Sequence, residues 1–279
     1  MYAGFAFSPL SGGDALRFID ATLDPGLRRL SPALAETAAE AVAAGEAPET
    51  FCLRVSRPYV LLGPQDLRLP HPEQGVAWLA SQGLPAYVRV GGGAAVLLDE
   101  GCLSFFAAVP CRDIGRLDRN FRDLTQPVRQ ALAQLGLHVR FGRAPGSYCE
   151  GPQDLVTRGG RKLLGVAQAM RHGYAIVSGM LLLSQDPWLT TEVLQEFYRR
   201  SGSDRVLRAD AVTSADIELG RSLPMETAKA AIMHQASALG WDAVPSPLTV
   251  YEVEVGERLL TARRFPGRDL ARRMPVRSL

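Results

Sequence analysis

A cysteine in a loop of small and polar residues is the first candidate for chemistry. Cys149 lies in the run Gly146-Ser147-Tyr148-Cys149-Glu150-Gly151, inside a segment rich in Gly, Ser and Pro that spans residues 142–152. Loops carry functional side chains more often than buried strands do, and a thiolate is a strong nucleophile for covalent catalysis. On this local evidence, an inert exposed thiol is the alternative.

A lysine beyond a predicted turn is the second candidate. Lys162 follows Gly159-Gly160, which is typical of a tight primed turn between two strands. If the chain reverses there, the ammonium group returns to the Cys149 loop. A cation within a few ångströms lowers the pKa of a thiol below its usual value of about 8.5. The alternative for Lys162 is a solvated turn residue.

Three consecutive glycines form the third feature. Gly91, Gly92 and Gly93 follow Arg89 and stand between two apolar strands. Glycines allow the backbone to approach a ligand closely or to adopt positive φ. The run lacks the G-K-[ST] of a phosphate loop, and no helix follows it, so it is not a dinucleotide fingerprint. It forms either a wall of a ligand site or a plain bend.

Other kinds of site are not indicated. The four cysteines include no C-x-x-C pair, so a zinc site is not expected. No His/Cys/Asp cluster suggests a metal, and no pair of carboxylates stands out as an acid–base dyad. His138, His172 and His234 lack the spacing of a Cys-His hydrolase, and we interpret them as structural or surface residues.

Composition narrows the class of protein. The 279 residues are 47% hydrophobic and carry a net charge of +2, so the basic surface of a nucleic-acid-binding protein is absent. No signal peptide and no apolar run long enough for a membrane span are visible. We therefore expect a cytoplasmic protein. The basic tail from Arg263 to Leu279 is interpreted as solvated, with an acidic protein partner as the alternative.

Periodicity indicates an α+β fold, in which helices pack on a mixed, largely antiparallel sheet. We expect an N-terminal helical segment at 1–44, a catalytic domain at 45–240, and a C-terminal strand, helix and basic tail at 241–279. Two helices should open the chain, the second capped by Ser31, and Leu248–Val253 should be a strand. One core-facing helix is expected over residues 117–135.

The motifs together resemble a known family. The segment 88–99, which includes Arg89 and the three glycines, resembles the Arg-x-Ser-Gly-Gly-x-x-Val motif of the biotin/lipoate protein ligase catalytic domain. The segment Gly160–Gln168 resembles its G-x-K-x-x-G-x-A-Q motif, and Leu62-Gly63-Pro64-Gln65 resembles an upstream one. The three motifs occur in the right order between about residues 45 and 240. Gly91 departs from the pattern, since Ser or Thr is usual there.

Within that superfamily, the cysteine loop resembles the octanoyltransferases that take octanoyl from the glycine-cleavage H protein. ATP-dependent lipoate ligases usually carry His-Asp where this chain has Leu98-Asp99. A sister group takes octanoyl from acyl carrier protein and also has a loop cysteine, usually in a Cys-Phe context.

The resemblance implies an acyltransferase of lipoate biosynthesis. Cys149 would take octanoyl from H protein as a thioester and pass it to the lysine of a lipoyl domain of a 2-oxoacid dehydrogenase. Lys162 would stabilise the thiolate, without ATP, metal or redox cofactor. The other implied site residues would bind the acyl chain in an apolar tunnel; they are Arg89, Gly91, Gly92, Gly93, Leu164, Gly165, Val166 and Ala167. The alternatives are an acyl-carrier-protein-dependent octanoyltransferase, an ATP-dependent lipoate–protein ligase, and a non-catalytic scaffold that binds carrier domains.

Overall fold

A computed structural model describes residues 16–111, 115, 117–171 and 173–265. His172 and most of the basic tail lie outside the described residues. The strands are β1 Leu16–Ala21, β2 Thr50–Arg54, β3 Tyr59–Leu62, β4 Ala86–Val88, β5 Val96–Leu98, β6 Cys102–Pro110, β7 Val139–Gly142, β8 Asp154–Thr157, β9 Lys162–Arg171, β10 Tyr174–Leu182 and β11 Ala243–Pro245. The helices are α1 Pro25–Ala44, α2 Pro72–Ser81, α3 Leu117–Leu124, α4 Gln126–Gln134, α5 Pro187–Arg200, α6 Ala215–Leu219, α7 Met225–Ala238 and α8 Val250–Arg263.

Two sheets organise these elements. Eight strands form the large sheet in the order β11-β1-β2-β6-β10-β9-β8-β7, and three form the small sheet β4-β3-β5. In the large sheet, β1 pairs in parallel with β11 and β2. The remaining neighbours, β2-β6, β6-β10, β10-β9, β9-β8 and β8-β7, all pair antiparallel. The predicted α+β class with a largely antiparallel sheet is confirmed.

The large sheet is buried on both faces, and successive residues of a strand point to opposite faces. On one face, residues such as Leu53, Leu103, Leu164 and Leu181 pack in a core that α4 and α7 cover. On the other face, one end packs on α1 and the other end meets the small sheet with α2 and α5. The functional site lies between the two sheets.

The two chain ends correct the sequence-based prediction. The predicted first helix is wrong for residues 16–21, which form β1. α1 begins at Pro25 behind the Asp24 cap, so Ser31 is a buried helical residue rather than an N-cap. The predicted strand Leu248–Val253 is also wrong. Thr249 and Glu252 form a capping box that starts α8, and this local hydrogen bonding outweighs the β-branched residues that suggested a strand.

Two smaller corrections concern connections. The single helix predicted over 117–135 is two helices that meet at Thr125, and Pro127 lies in the first turn of α4. The turn between β8 and β9 is longer than a two-residue primed turn, since the Thr157 amide donates to the Arg161 carbonyl. Among the described helices, none combines the length and apolarity needed to cross a bilayer.

Candidate active site

A cavity between the two sheets contains the candidate nucleophile. It encloses about 460 Å³ of space, including its open mouth. Leu61, Val96 and Leu98 of the small sheet form one wall. The opposite wall comes from the large sheet, where residues of β9 and β10 alternate between this cavity and the leucine-rich core. The residues of the large sheet that border the cavity are Arg54, Ser104, Asp154, Lys162, Gly165, Val166, Ala167, Ser178, Gly179 and Met180.

The Cys149 loop connects β7 to β8 and is held tightly. Cys149 has φ +46°, and it is the one described non-glycine residue with positive φ. Such conformations cost free energy and persist where the surroundings impose them. Next to it, Tyr148 is fully buried and its hydroxyl donates to Gln185 Oε1 at 3.2 Å. Gln185 in turn donates to the Leu97 carbonyl, which ties the loop to the small sheet.

Two donors meet the sulfur of Cys149. Arg89 Nη2 lies 3.0 Å from Sγ, and the Ala94 backbone amide lies 3.3 Å from it. Burial raises the pKa of the Cys149 thiol, but the charges of Arg89 and Lys162 and the two hydrogen bonds lower it more. The net result is a pKa below the ordinary value. The arrangement therefore favours the thiolate over the neutral thiol.

Close backbone packing places the glycine loop against this sulfur. A Cβ on Gly93, which has φ +100°, would lie 2.6 Å from Arg89 Nη2 and 2.7 Å from Cys149 Sγ. A Cβ on Gly63 would collide with the Gly93 carbonyl oxygen at 1.9 Å. Both positions therefore require glycine, because a side chain at either one would displace the donors to the sulfur.

A buried hydrogen-bond chain braces the loop from behind. Tyr198 OH accepts from the Ala95 amide at 3.2 Å and donates to Asp66 Oδ1 at 3.0 Å. Asp66 Oδ2 accepts from the Gly63 amide at 2.7 Å. Burial raises the pKa of Asp66 to about 6. The Asp66–Tyr198 pair fixes the backbone on both sides of the contact between Gly63 and Gly93.

Lys162 contacts the backbone of the nucleophile loop rather than the sulfur. Its Nζ lies 2.8 Å from the Cys149 carbonyl oxygen and 3.1 Å from the Tyr148 carbonyl oxygen. Its third partner is Asp154 Oδ2 at 3.0 Å, and both side chains of this ion pair are 1% exposed. All three donor positions of the ammonium group are thus used. Burial raises the pKa of the Asp154 carboxyl, and Lys162 opposes that rise.

The remaining predicted residues divide between wall and core. Gly165 and Ala167 line the cavity, and a Cβ on Gly165 would lie 3.1 Å from Lys162 Cε; Val166 borders the cavity as well, but its side chain packs against the leucine-rich core. Leu164 does not line it, because the alternation of β9 turns this side chain into the opposite core. The exposed Gly92 lies outside the cavity as well. The predicted tunnel is also less apolar than expected, since charged side chains enter it.

Sequence reasoning missed several residues of the site. Asp154 had a signal, because it is a carboxylate at the start of β8, the strand that pairs with the beginning of β9 where Lys162 lies. Arg89 was assigned to acyl binding, whereas its guanidinium group lies on the sulfur. Asp66 and Tyr198 had no local signal, since their partners are far away in sequence. No histidine of the described residues lines the cavity.

The other cysteines contrast with Cys149. Burial raises the pKa of Cys52 to about 12 and the pKa of Cys102 well above its usual value. Both side chains are packed in apolar clusters. They are buried core residues with raised thiol pKa values, so selective modification of Cys149 over these two is a workable measurement.

Comparison with known proteins gives a consistent result. A model of the lipoyl protein ligase A/B catalytic domain matches residues 29–237. The chain is 34% identical over 183 residues to an octanoyl-[GcvH]:protein N-octanoyltransferase of Kyrpidia tusciae, covering 62% of this chain and 63% of that protein. It is 31% identical over 192 residues to a lipoyl-[GcvH]:protein N-lipoyltransferase of Listeria monocytogenes, covering 68% and 69%. The match to the Kyrpidia protein thus spans less than two thirds of its length.

A solved structure supports the fold. The structure of a bipartite lipoate protein ligase and its E2 lipoyl domain from Thermoplasma acidophilum superimposes with a TM-score of 0.66 at 19% identity. The superposition covers 89% of this chain and 93% of that one. At this identity, the likeness concerns the fold.

Proposed function

The chain belongs to the lipoyl protein ligase A/B catalytic domain family, and from this we propose that it is a protein N-octanoyltransferase. It moves an octanoyl group from the lipoyl-type lysine of glycine-cleavage H protein to lipoyl domains of 2-oxoacid dehydrogenases. The group is carried on Cys149 as a thioester. The observation that carries the proposal is the pair of donors, Arg89 and the Ala94 amide, on a cysteine sulfur that opens into a cavity.

The first half-reaction acylates the enzyme. The Cys149 thiolate attacks the carbonyl carbon of the octanoylated donor lysine, so a carbon–sulfur bond forms. The carbon–nitrogen bond then breaks, and the donor amine leaves after taking a proton from water. Arg89 Nη2 and the Ala94 amide lie 3.0 and 3.3 Å from Sγ, the atom to which the acyl carbon becomes bonded. They would therefore stabilise the negative charge that develops on its oxygen.

The second half-reaction transfers the group. The amine of the acceptor lysine attacks the thioester, the carbon–sulfur bond breaks as the amide forms, and the amine gives up a proton to water while the thiolate of Cys149 is released to the same two donors. A covalent intermediate suits this exchange because two protein carriers cannot occupy the cavity mouth together. Lys162 and Asp154 act through the loop, since Lys162 holds the carbonyls of Tyr148 and Cys149. They keep Sγ aimed into the cavity in both steps.

The names of the relatives support the choice of donor. The Kyrpidia and Listeria relatives both act on a GcvH-linked acyl group, by their names. The Thermoplasma ligase was determined with an E2 lipoyl domain, a protein of the proposed acceptor class. Octanoyl-acyl carrier protein is the alternative donor, and a cytoplasmic location goes with either carrier.

Intact-protein mass spectrometry tests the proposal. After mixing with octanoyl-H protein and no ATP, we expect one octanoyl group on the wild type and none on Cys149→Ala. Cys111→Ala is the matched control and should still be acylated. Modification that requires ATP and persists in Cys149→Ala would contradict the proposal and favour a ligase.

A further inference from the structure

A second chamber adjoins the cavity that contains Cys149. This side chamber encloses about 540 Å³ and is lined by residues that include Arg54, Arg89, Glu36 and Gln168. Arg54, Arg89, Leu61, Ala167 and Ser178 line both spaces. A ligand that begins at the Cys149 sulfur can therefore extend past Arg54 into the chamber.

Arg54 is a buried cation without a carboxylate partner. The residue is 6% exposed, and its guanidinium group lies 5.8 Å from the centre of the Phe106 ring. Its Nη1 donates to the Ser31 carbonyl oxygen. Its Nε is buried without a hydrogen-bond partner, and no ion pair joins Arg54 to any carboxylate in the described part of the chain. Burying an unpaired charge is costly, so such a group indicates a missing anion.

The other charged groups around the two spaces have a charged or sulfur partner, although Arg89 Nε is also buried without a hydrogen-bond partner. Lys162 pairs with Asp154, and Arg89 faces the sulfur of Cys149. The Glu36 carboxylate accepts from Arg263. Arg54 is the cation that remains among the described residues lining the cavity and the chamber. A guanidinium group binds a carboxylate through two parallel hydrogen bonds, and Arg54 has the unpartnered Nε as a donor.

The spacing fits an acyl chain of medium length. Gly165 of β9 pairs with Met180, Met180 pairs with Ser104, and Ser104 pairs with Arg54. Directly paired residues share a face, so these four line one row beneath the cavity. Three strand spacings separate the ends of the row, which is about 14 Å. Cys149 lies near the Gly165 end through its contact with Lys162.

We propose that Arg54 binds the far end of acyl chains that terminate in a carboxylate. These omega-carboxyacyl groups would be a second substrate class for the same nucleophile. The inference rests on the proposed function in that Cys149 starts the chain. An apolar octanoyl end would leave the Arg54 charge unpaired, whereas a carboxylate end pairs with it.

Equilibrium binding tests the chamber without any chemistry. Octanedioic acid monoamide and octanamide are titrated into the wild-type protein by calorimetry. The amide group of each compound mimics the amide bond that joins the acyl group to the donor lysine. We expect the monoamide to bind about tenfold more tightly, because one charge-assisted pair is gained. Equal affinity of the two amides for the wild type would overturn the inference.

Variants assign the effect to its residue. Arg54→Met should reverse the preference for the monoamide, so that octanamide binds more tightly. Arg57→Met is the matched control, because Arg57 is exposed on the next loop, and it should keep the preference. If Arg54→Met does not fold, the comparison on the wild type still decides.

Acylation by small thioesters separates this inference from the proposed function. N-acetylcysteamine thioesters of octanoic acid, octanedioic acid and octanedioic monomethyl ester serve as donors. Sγ of Cys149 bonds to the carbonyl carbon, the bond to the donor sulfur breaks, and the released thiolate takes a proton from water. We expect the free carboxylate to react about tenfold faster than its methyl ester. Octanoyl transfer without carboxylate preference would refute the inference alone, whereas tight monoamide binding without any adduct would refute the proposed function alone.

Discussion

Replacing Lys162 with methionine tests whether a buried ion pair holds the nucleophile loop. The Nζ of Lys162 lies 3.0 Å from Asp154 Oδ2, and both side chains are 1% exposed. The same atom donates to the carbonyls of Tyr148 and Cys149 at 3.1 and 2.8 Å. Methionine has similar length but donates nothing, so three hydrogen bonds are lost without a large cavity.

The expected loss in unfolding free energy depends on Asp154, which stays buried without its ion-pair partner. Removing one member of a buried ion pair typically destabilises a protein by about 3–5 kcal/mol. Asp154 keeps its hydrogen bonds from the Gly151 and Val166 amides, and burial already raises its pKa. Without Lys162 its carboxyl takes up a proton more readily, which limits the cost. We expect a loss at the lower end, about 3 kcal/mol in the free energy of unfolding.

Chemical denaturation of four proteins provides the assay. They are the wild type, Lys162→Met, Asp154→Asn and the double variant. Because the two side chains interact directly, the double variant should lose less than the sum of the single losses, by about 0.5–3 kcal/mol. Lys229→Met is a control at a more exposed ion pair, where the side chains of Lys229 and Asp20 are 16% and 41% exposed. It should cost about 0–1 kcal/mol.

The reasoning is refuted by a small, additive effect. If Lys162→Met loses no more than Lys229→Met, or if the two single losses simply add, the pair does not hold the loop. In that case the contacts to the Tyr148 and Cys149 carbonyls are dispensable.

Three further predictions concern the sulfur and its surroundings. Arg89→Met should raise the pKa of Cys149, because burial still raises it while the largest opposing charge is removed. The pH profile of alkylation by iodoacetamide should then move to higher pH. An unchanged profile would contradict this prediction. Gly93→Ala should cost about 1–3 kcal/mol in unfolding free energy through strain at φ +100°. It should also slow the acylation of Cys149 about tenfold or more. Gly92→Ala is the control: Gly92 has open space around it, and its replacement should not slow acylation. Tyr198→Phe should lower the free energy of unfolding by about 1–3 kcal/mol, because the Ala95 amide and Asp66 Oδ1 each lose a hydrogen bond. A thermal melt that matches the wild type would refute the bracing role. Tyr251→Phe, at an exposed tyrosine, is the control.

Local signals in the sequence were sufficient for most of the sheet and for part of the site. Hydrophobic runs and glycine turns were sufficient to indicate a largely antiparallel sheet between residues 50 and 182. Hairpin logic also brought Lys162 back to the Cys149 loop. That logic fixes a neighbourhood but not a hydrogen bond, so it did not show that Nζ binds carbonyls and Asp154 instead of Sγ.

Contacts between distant segments were out of reach. Arg89 and Cys149 are 60 residues apart, and nothing local to either one indicates that they touch. The exclusion of Leu164 was different, because strict alternation along β9 places it opposite to Gly165 once one of them is assigned to the cavity. The capping box at Thr249 was likewise legible, but the valine-rich run after it favoured the wrong element.

The most direct test of the account is a chase of the isolated acyl-enzyme. The protein is loaded with isotope-labelled octanoyl from H protein, separated from the donor, and mixed with an unmodified lipoyl domain in the absence of ATP. We predict that the label leaves Cys149 and appears in equal amount as an amide on the acceptor lysine. A label that stays on the enzyme, or an acceptor that is modified only when donor or ATP is added back, would contradict Cys149 as the carrier of the acyl group.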